Sequence, residues 1–230
     1  TMKLFINTIT VLTILLIVYI VIPHICKKFM RLKFLSSIQK SNNIYLTFDD
    51  GPDPESTPQI IELLKLHGFT ATFFITGKNG EKYPELVKLI ENNGNSIGMH
   101  GYEHIHPWKT GPLKTISDMQ MMTQYFNKIN PSINLYRPPY GKFNIVSLLY
   151  FLSGKTRSVF WDIDPEDYKS DNPEHTALEI IKQVKPGSVI LLHDGRDNIE
   201  EQSPSVITVS IVKSIIQFAI ANNLNISGIR

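Results

Sequence analysis

The chain has 230 residues, room for one domain and a short extra segment, and its 42% hydrophobic and 10% aromatic content excludes a disordered polymer. The formal charge of +2 conceals an asymmetry: residues 1–40 hold six bases (Lys3, Lys27, Lys28, Arg31, Lys33, Lys40) and no acid, so residues 41–230 set 17 bases against 21 acids, a net −4. Such a body lacks the basic face that nucleic-acid binding needs, and a single cysteine, Cys26, excludes an intrachain disulfide framework and a cysteine-ligated zinc cluster.

Leu4–Ile22 is a run of nineteen uncharged residues dominated by Ile, Leu and Val, close to the ~20 that a helix needs to cross hydrocarbon. No small-x-small cleavage site follows it at Ile22-Pro23-His24-Ile25-Cys26, so residues 1–26 read as an uncleaved membrane anchor. Residues 27–43 read as a basic and polar tether, and residues 44–230 as the functional domain. Positive-inside counting sets Lys3 against Lys27, Lys28, Arg31 and Lys33 and by itself votes for a cytoplasmic body, but the rule weakens when a long domain follows.

From Ile44 onward, apolar runs alternate with helical patterns. Strands are expected at Ile44–Phe48, Thr70–Ile75, Ser96–Met99, Leu135-Tyr136, Ser158–Ile163 and Ser188–Leu192, with a short last run near Ile226. Helices are expected from a cap at Thr57 to a stop at Gly68, then over Pro84–Glu91, Ser117–Ile129, Asn144–Leu152, Glu174–Val184 and Ser205–Ala221. This alternation predicts an α/β fold with a parallel sheet or barrel. The polar clusters at Asp49-Asp50, His100, Arg137, Asp167 and His193 fall just after strands, where sites form in such folds.

The residue types suit hydrolysis. Asp49-Asp50-Gly51-Pro52 sets two carboxylates side by side, one able to bind metal while the other faces substrate, though acidic turns are common. His100 and His104, spaced i, i+4, can grip one divalent cation, with Glu103 and His106 as nearby alternative ligands. His24, His67 and His175 read as surface or core histidines. Arg137 stands beside the rigid turn Pro138-Pro139-Tyr140-Gly141, suited to gripping a carboxylate and to aiming a backbone N–H at a developing oxyanion. The acidic stretch Trp161–Tyr168 does not complete a calcium loop, and Val189–Leu192 runs as a buried strand into His193, placed for proton transfer.

Taken in order, Thr47-Phe48-Asp49-Asp50-Gly51, His100-x-x-x-His104, Arg137-Pro138-Pro139-Tyr140-Gly141, Asp164-x-x-Asp167-Tyr168 and Leu191-Leu192-His193 resemble the five motifs of the polysaccharide deacetylases, carbohydrate esterase family four, from Ile44 to the end. The resemblance implies a distorted (β/α) barrel of about seven parallel strands, preceded here by one transmembrane helix. It implies removal of N-acetyl groups from N-acetylglucosamine glycans such as peptidoglycan, or of O-acetyl groups from xylan. It implies one divalent metal, zinc foremost with cobalt, nickel or manganese as alternatives, on Asp50, His100 and His104. Asp49 would be the general base held by Arg137, Tyr140 the oxyanion donor, and His193 the general acid oriented by Asp167. Pro139, Tyr168 and Leu191 would border the substrate. Gly101 replaces the frequent Ser or Thr, and Tyr168 the usual Trp. The expected partners are an acetylated polysaccharide and a membrane, with no nucleic acid or protein partner. The expected location is the cell membrane, single-pass, with the domain outside the cytoplasm.

Two rivals remain. Gly94-Asn95-Ser96-Ile97-Gly98 matches a nucleophile elbow, with Asp167 and His193 following in hydrolase order, but it follows a helix where the motif needs a strand. The other rival is a glycan-binding module that has lost catalysis; against it, every catalytic position is filled.

Overall fold

The computed structural model describes residues 2–39, 41–154, 156–195 and 204–230. Met2–Leu16 (α1), a π-helical turn at Ile17–Val21 and Ile22–Ile38 (α2) form one continuous helix of 37 residues, long and apolar enough to cross a membrane. No residue of α1 is buried, whereas α2 buries Pro23, Phe34 and Leu35. The basic stretch after the apolar run is therefore helical as far as Ile38 and packs on the domain. Phe34 meets the Phe160 ring edge-on, and the Arg31 Nε–H donates to the Trp161 carbonyl at 3.0 Å.

The chain continues through β1 (Asn43–Asp49), α3 (Ser56–Leu66), β2 (Thr72–Ile75), α4 (Gly77–Lys82), α5 (Pro84–Asn92), β3 (Ser96–Met99), α6 (Pro112–Ile129) and β4 (Leu135–Tyr136). It ends with α7 (Ile145–Ser153), β5 (Arg157–Ser158), α8 (Pro173–Gln183), β6 (Val189–His193), α9 (Pro204–Ala221) and β7 (Asn225–Ile226). Among the described residues every strand pairing is parallel, in the order β5-β4-β3-β2-β1-β6, with β7 pairing the first two residues of β1. The result is a distorted half-barrel, an open curved sheet whose strands are buried on both sides, as helix-covered parallel sheets require. The register sets Asp49 beside His193 on one flank and beside Phe74 on the other. The polar residues of the site thus leave the carboxyl ends of neighbouring strands together.

Three elements differ from the sequence pattern. Helix α4 has no apolar periodicity to announce it; the Thr76 side chain caps it, accepting from the Asn79 N–H at 3.3 Å. The strand expected over Ser158–Ile163 shrinks to Arg157–Ser158 and one isolated bridge from Ile163 to Ile190. The Asp162 side chain accepts from the Val189 N–H at 2.6 Å, taking a hydrogen bond that a regular ladder would give to backbone. Helix α3 begins at Ser56, one residue before the expected cap. Thr57 turns inward instead, accepting from the Asp53 N–H at 2.8 Å and donating to the Asp194 carboxylate at 2.5 Å.

Candidate active site

Asp49 ends β1 buried, and its Oδ1 accepts from the Arg137 guanidinium at 2.7 Å. Arg137 follows β4 and is fully buried. Its guanidinium lies 4.3 Å from the Phe74 ring centre and 5.3 Å from that of Trp161, while Nε and one terminal nitrogen have no hydrogen-bond partner among the described residues. Burial draws the Arg137 pKa below its ordinary value and the Asp49 carboxylate opposes that. A cation stripped of water in this way is tolerable only against aromatic faces and a carboxylate, so the pair fixes the orientation of Asp49.

Next to it, Asp50 Oδ1 stands 3.3 Å from His100 Nε2 and 3.1 Å from His104 Nε2. The ligating atoms of these three residues lie within 4.8 Å of one another. His100 Nδ1 is 2.8 Å from the Arg137 carbonyl oxygen. A carbonyl only accepts, so Nδ1 carries a proton there and Nε2 is the nitrogen turned toward the two carboxylates. Asp50 Oδ1 is buried and, among the described residues, meets only these two imidazoles. Burial pushes the Asp50 carboxyl up, but His104 and His100 outweigh it and hold the group below the usual carboxylate range. Two imidazole nitrogens and one buried carboxylate oxygen gathered on one centre suit a divalent cation bound by two nitrogens and one oxygen. Of the alternative ligands, Glu103 is exposed and paired with Lys114, and His106 Nε2 lies 3.3 Å from Lys142 Nζ, so neither belongs to this group.

Backbone conformation contributes. Asp50, His104 and Tyr140 have φ of 72°, 53° and 55°, left-handed values that cost non-glycine residues about 1–2 kcal/mol each. Three of them around one cavity mark a site whose surroundings hold it in place. Gly101 has φ 77°, which favours the glycine found there over the Ser or Thr expected of the motif.

Across the cavity, His193 Nδ1 is 2.7 Å from Asp167 Oδ1. Asp167 Oδ2 accepts from the His193 backbone N–H at 2.9 Å and from the Thr208 hydroxyl at 3.0 Å. Burial works against charge on this imidazole, but the Asp167 carboxylate prevails and pushes its pKa up to about 10. Tyr168 stands edge-on to the ring with centroids 5.1 Å apart.

A cavity of about 440 Å³ joins these groups, lined among others by Asp49, Asp50, His100, His104, Tyr140, Tyr168, Leu191 and His193. Of the residues singled out from sequence, Arg137 and Asp167 stand directly behind this lining. Pro139 is buried and is not part of this lining. Trp161 and Asp164, quoted from the acidic stretch without a role of their own, line it too, as does Lys142, to which no sequence pattern pointed. Two buried acids also escaped sequence reasoning. Asp118, on α6, accepts from the Tyr102 N–H at 3.2 Å and the Glu103 N–H at 2.8 Å and so braces the loop between the two histidines. Asp194 sits against Gly51, where any Cβ would strike its carboxylate. Burial raises the Asp194 pKa to about 8, favouring the neutral acid behind the Asp49-Asp50 turn. Ser96 opens β3 at the amino ends of the strands, opposite His193, so no nucleophile elbow forms.

A parallel half-barrel with carboxylate, imidazole and a cation-ready triad at its strand ends defines a hydrolase site. Residues 37–151 match the polysaccharide deacetylase family model. The chain is 33% identical over 160 residues to a chitooligosaccharide deacetylase of Azorhizobium caulinodans, covering 68% of this chain and 76% of the relative. It is 36% identical over 151 residues to a peptidoglycan-N-acetylglucosamine deacetylase of Bacillus cereus, covering 65% of this chain and 55% of that one. Among solved structures, the peptidoglycan deacetylase PdaC of Bacillus subtilis superposes with a TM-score of 0.70 at 28% identity, over 83% of this chain and 89% of that one. The chain belongs to the polysaccharide deacetylase family.

Proposed function

We propose that the protein removes N-acetyl groups from N-acetylglucosamine-containing glycan at a membrane surface, releasing acetate, with zinc as the bound metal. One observation carries this reading: a clamped carboxylate, a two-histidine, one-aspartate triad and a carboxylate-backed imidazole face one cavity. Peptidoglycan and chitin oligomers are what the similar proteins are named for, and the long apolar helix favours a glycan near the membrane.

A divalent cation on Asp50, His100 and His104 would polarise the acetamide carbonyl and acidify the attacking water. Asp49 takes the proton of that water, its carboxylate aimed by the Arg137 guanidinium. The Tyr140 N–H, on a turn pinned by the Gly141 N–H to Pro138 carbonyl bond of 2.8 Å, donates to the carbonyl oxygen as charge builds there. His193, tied through Nδ1 to Asp167, gives a proton from Nε2 to the departing nitrogen. Tyr168 and Leu191 border the sugar. The body lies outside the cytoplasm, where such glycans are found.

The test is acetate release by the full chain in detergent, loaded with zinc, from N-acetylated chitooligomers, muropeptides and acetylated xylan. The reading expects chelator-sensitive acetate and free amine from an N-acetylated substrate. Acetate from xylan alone would make the enzyme an O-acetyl esterase; binding without acetate would make it a lectin-like module.

A further inference from the structure

Gln39, at the carboxyl end of helix α2, packs against Gly187, and Arg31, two turns back, reaches the Trp161 carbonyl at the cavity, so α2 climbs from the bottom of the domain toward the cavity. The bottom of the domain is fixed by the Gly187 N–H donating to the Asn43 carbonyl at 2.8 Å. The seventeen residues of α2 rise about 25 Å, and the seven of β1 about 23 Å. The amino end of α2 therefore arrives level with the carboxyl end of β1, where the cavity opens. Side-chain contacts agree. The Tyr19 hydroxyl donates to the Thr110 carbonyl at 2.7 Å and accepts from Asn144 at 3.0 Å. His24 meets Trp108 edge-on at 5.8 Å between centroids, and His106 links Trp108 to Tyr140 at the cavity wall.

The uncharged run Leu4–Ile22 spans about 28 Å at 1.5 Å per residue, the thickness of a bilayer's hydrocarbon. Its lower edge falls where Tyr19 and His24 touch the loop beside the cavity, with Tyr19 at the depth interfacial aromatics favour. Leu113 and Ile116, just beyond that loop on α6, are 83% and 42% exposed. Between the helix and the cavity lies a group of cations. Lys27 sits one turn from Arg31, and its pKa is lowered by burial and then by the charges of Arg31 and Lys142; Lys142 itself lines the cavity. Among the described residues, no ion pair with a carboxylate engages Lys27, Arg31 or Lys142.

We propose that the catalytic cavity faces the membrane holding α1 and takes N-acetylated sugars carried there on a phosphate-bearing lipid, with the phosphate lying on Lys27, Arg31 and Lys142. This rests on the deacetylase reading above and narrows its substrate to a membrane-borne one.

Orientation is tested without turnover. The full chain, with Cys26→Ser and either Leu113→Cys or Lys185→Cys carrying a donor dye, is placed in vesicles with an acceptor on lipid headgroups. Both positions are exposed, at opposite ends of the domain. Strong transfer from position 113 and weak transfer from 185 are expected; equal or reversed transfer overturns the orientation, whatever the enzyme hydrolyses. In the second arm, kcat/KM on N-acetylglucosaminyl diphosphate polyprenol in the same vesicles should exceed that on soluble N-acetylated chitooligomers at least tenfold. Lys142→Gln should lower the former at least fivefold more than the latter. Equal rates on the lipid-linked sugar and on the sugar diphosphate without lipid overturn the membrane-borne substrate. Loss of activity on every substrate, with the transfer pattern intact, would instead overturn the deacetylase reading.

Discussion

Replacing Asp167 with Asn removes one charge and almost no volume, from a group only 1% exposed. In the native site one carboxylate oxygen takes the His193 ring at 2.7 Å, and the other takes two donors, the His193 N–H and the Thr208 hydroxyl. An asparagine has one acceptor oxygen. Turned toward the two donors, it aims its NH₂ at Nδ1 and forces the ring into the neutral tautomer protonated on Nε2; turned toward the ring, it sets NH₂ against a backbone N–H. Either way the imidazolium loses its nearest counter-charge, and only the weaker pull of Asp50 and Asp49 is left against burial, the largest influence on the group. Its pKa should fall from about 10 to at or below the ordinary 6.5, a loss of about 5 kcal/mol of imidazolium stabilisation at 1.36 kcal/mol per unit. At pH 8 the protonated fraction would drop from nearly all to about 3%, and turnover by the ~10²–10⁴ that a lost general acid costs. Linkage adds a second readout. With the native pKa raised, the pair's stabilisation of the fold is full below about pH 6.5 and fades as pH rises to about 10, so the variant's stability deficit should shrink over that window. The assay is acetate release from pH 5 to 10.5 with metal content measured on each sample. An alkaline limb that stays where it was, at equal metal content, would refute the reasoning.

Arg137→Met should destabilise the protein, at equal metal content, by about 3–5 kcal/mol in urea unfolding, because it leaves Asp49 as a buried, unpaired charge. The double variant Asp49→Asn/Arg137→Met should regain at least half of that loss, and additive losses would show the pair is not coupled. A chain beginning at Pro23 should fold, whereas one beginning at Asn43 forfeits burial of Phe34 and Leu35, about 3–6 kcal/mol and on the order of 10 °C in thermal midpoint. Equal midpoints by scanning calorimetry would mean that α2 does not belong to the folded domain.

The strands and most helices were legible because buried parallel strands read as short apolar runs and helices as capped periodic ones. What resisted was structure made by side chains. Asp162 ends a strand by taking a backbone N–H, Thr76 starts a helix of polar residues, and Thr57 spends its hydroxyl on Asp194 rather than on a cap. The basic stretch after the apolar run carries its buried residues sparsely, so docking of α2 shows only once Phe160 and Trp161 lie beside it. In the site, the acids and histidines that face the cavity stood out through rare residue types at strand ends. Asp118 and Asp194, which hold loops from behind, look like any acid in the sequence, and their burial is a property of the fold.

The central claim is that neighbouring carboxylates divide the work, Asp50 with His100 and His104 holding the metal and Asp49 moving the proton. Metal analysis of purified Asp49→Asn and His104→Ala chains, beside acetate release, tests it directly. Asp49→Asn should keep about one zinc per chain while turnover falls by ~10²–10⁴, and His104→Ala should lose both metal and activity, with excess zinc restoring little. Loss of zinc from Asp49→Asn, with zinc retained in Asp50→Asn, would contradict the account.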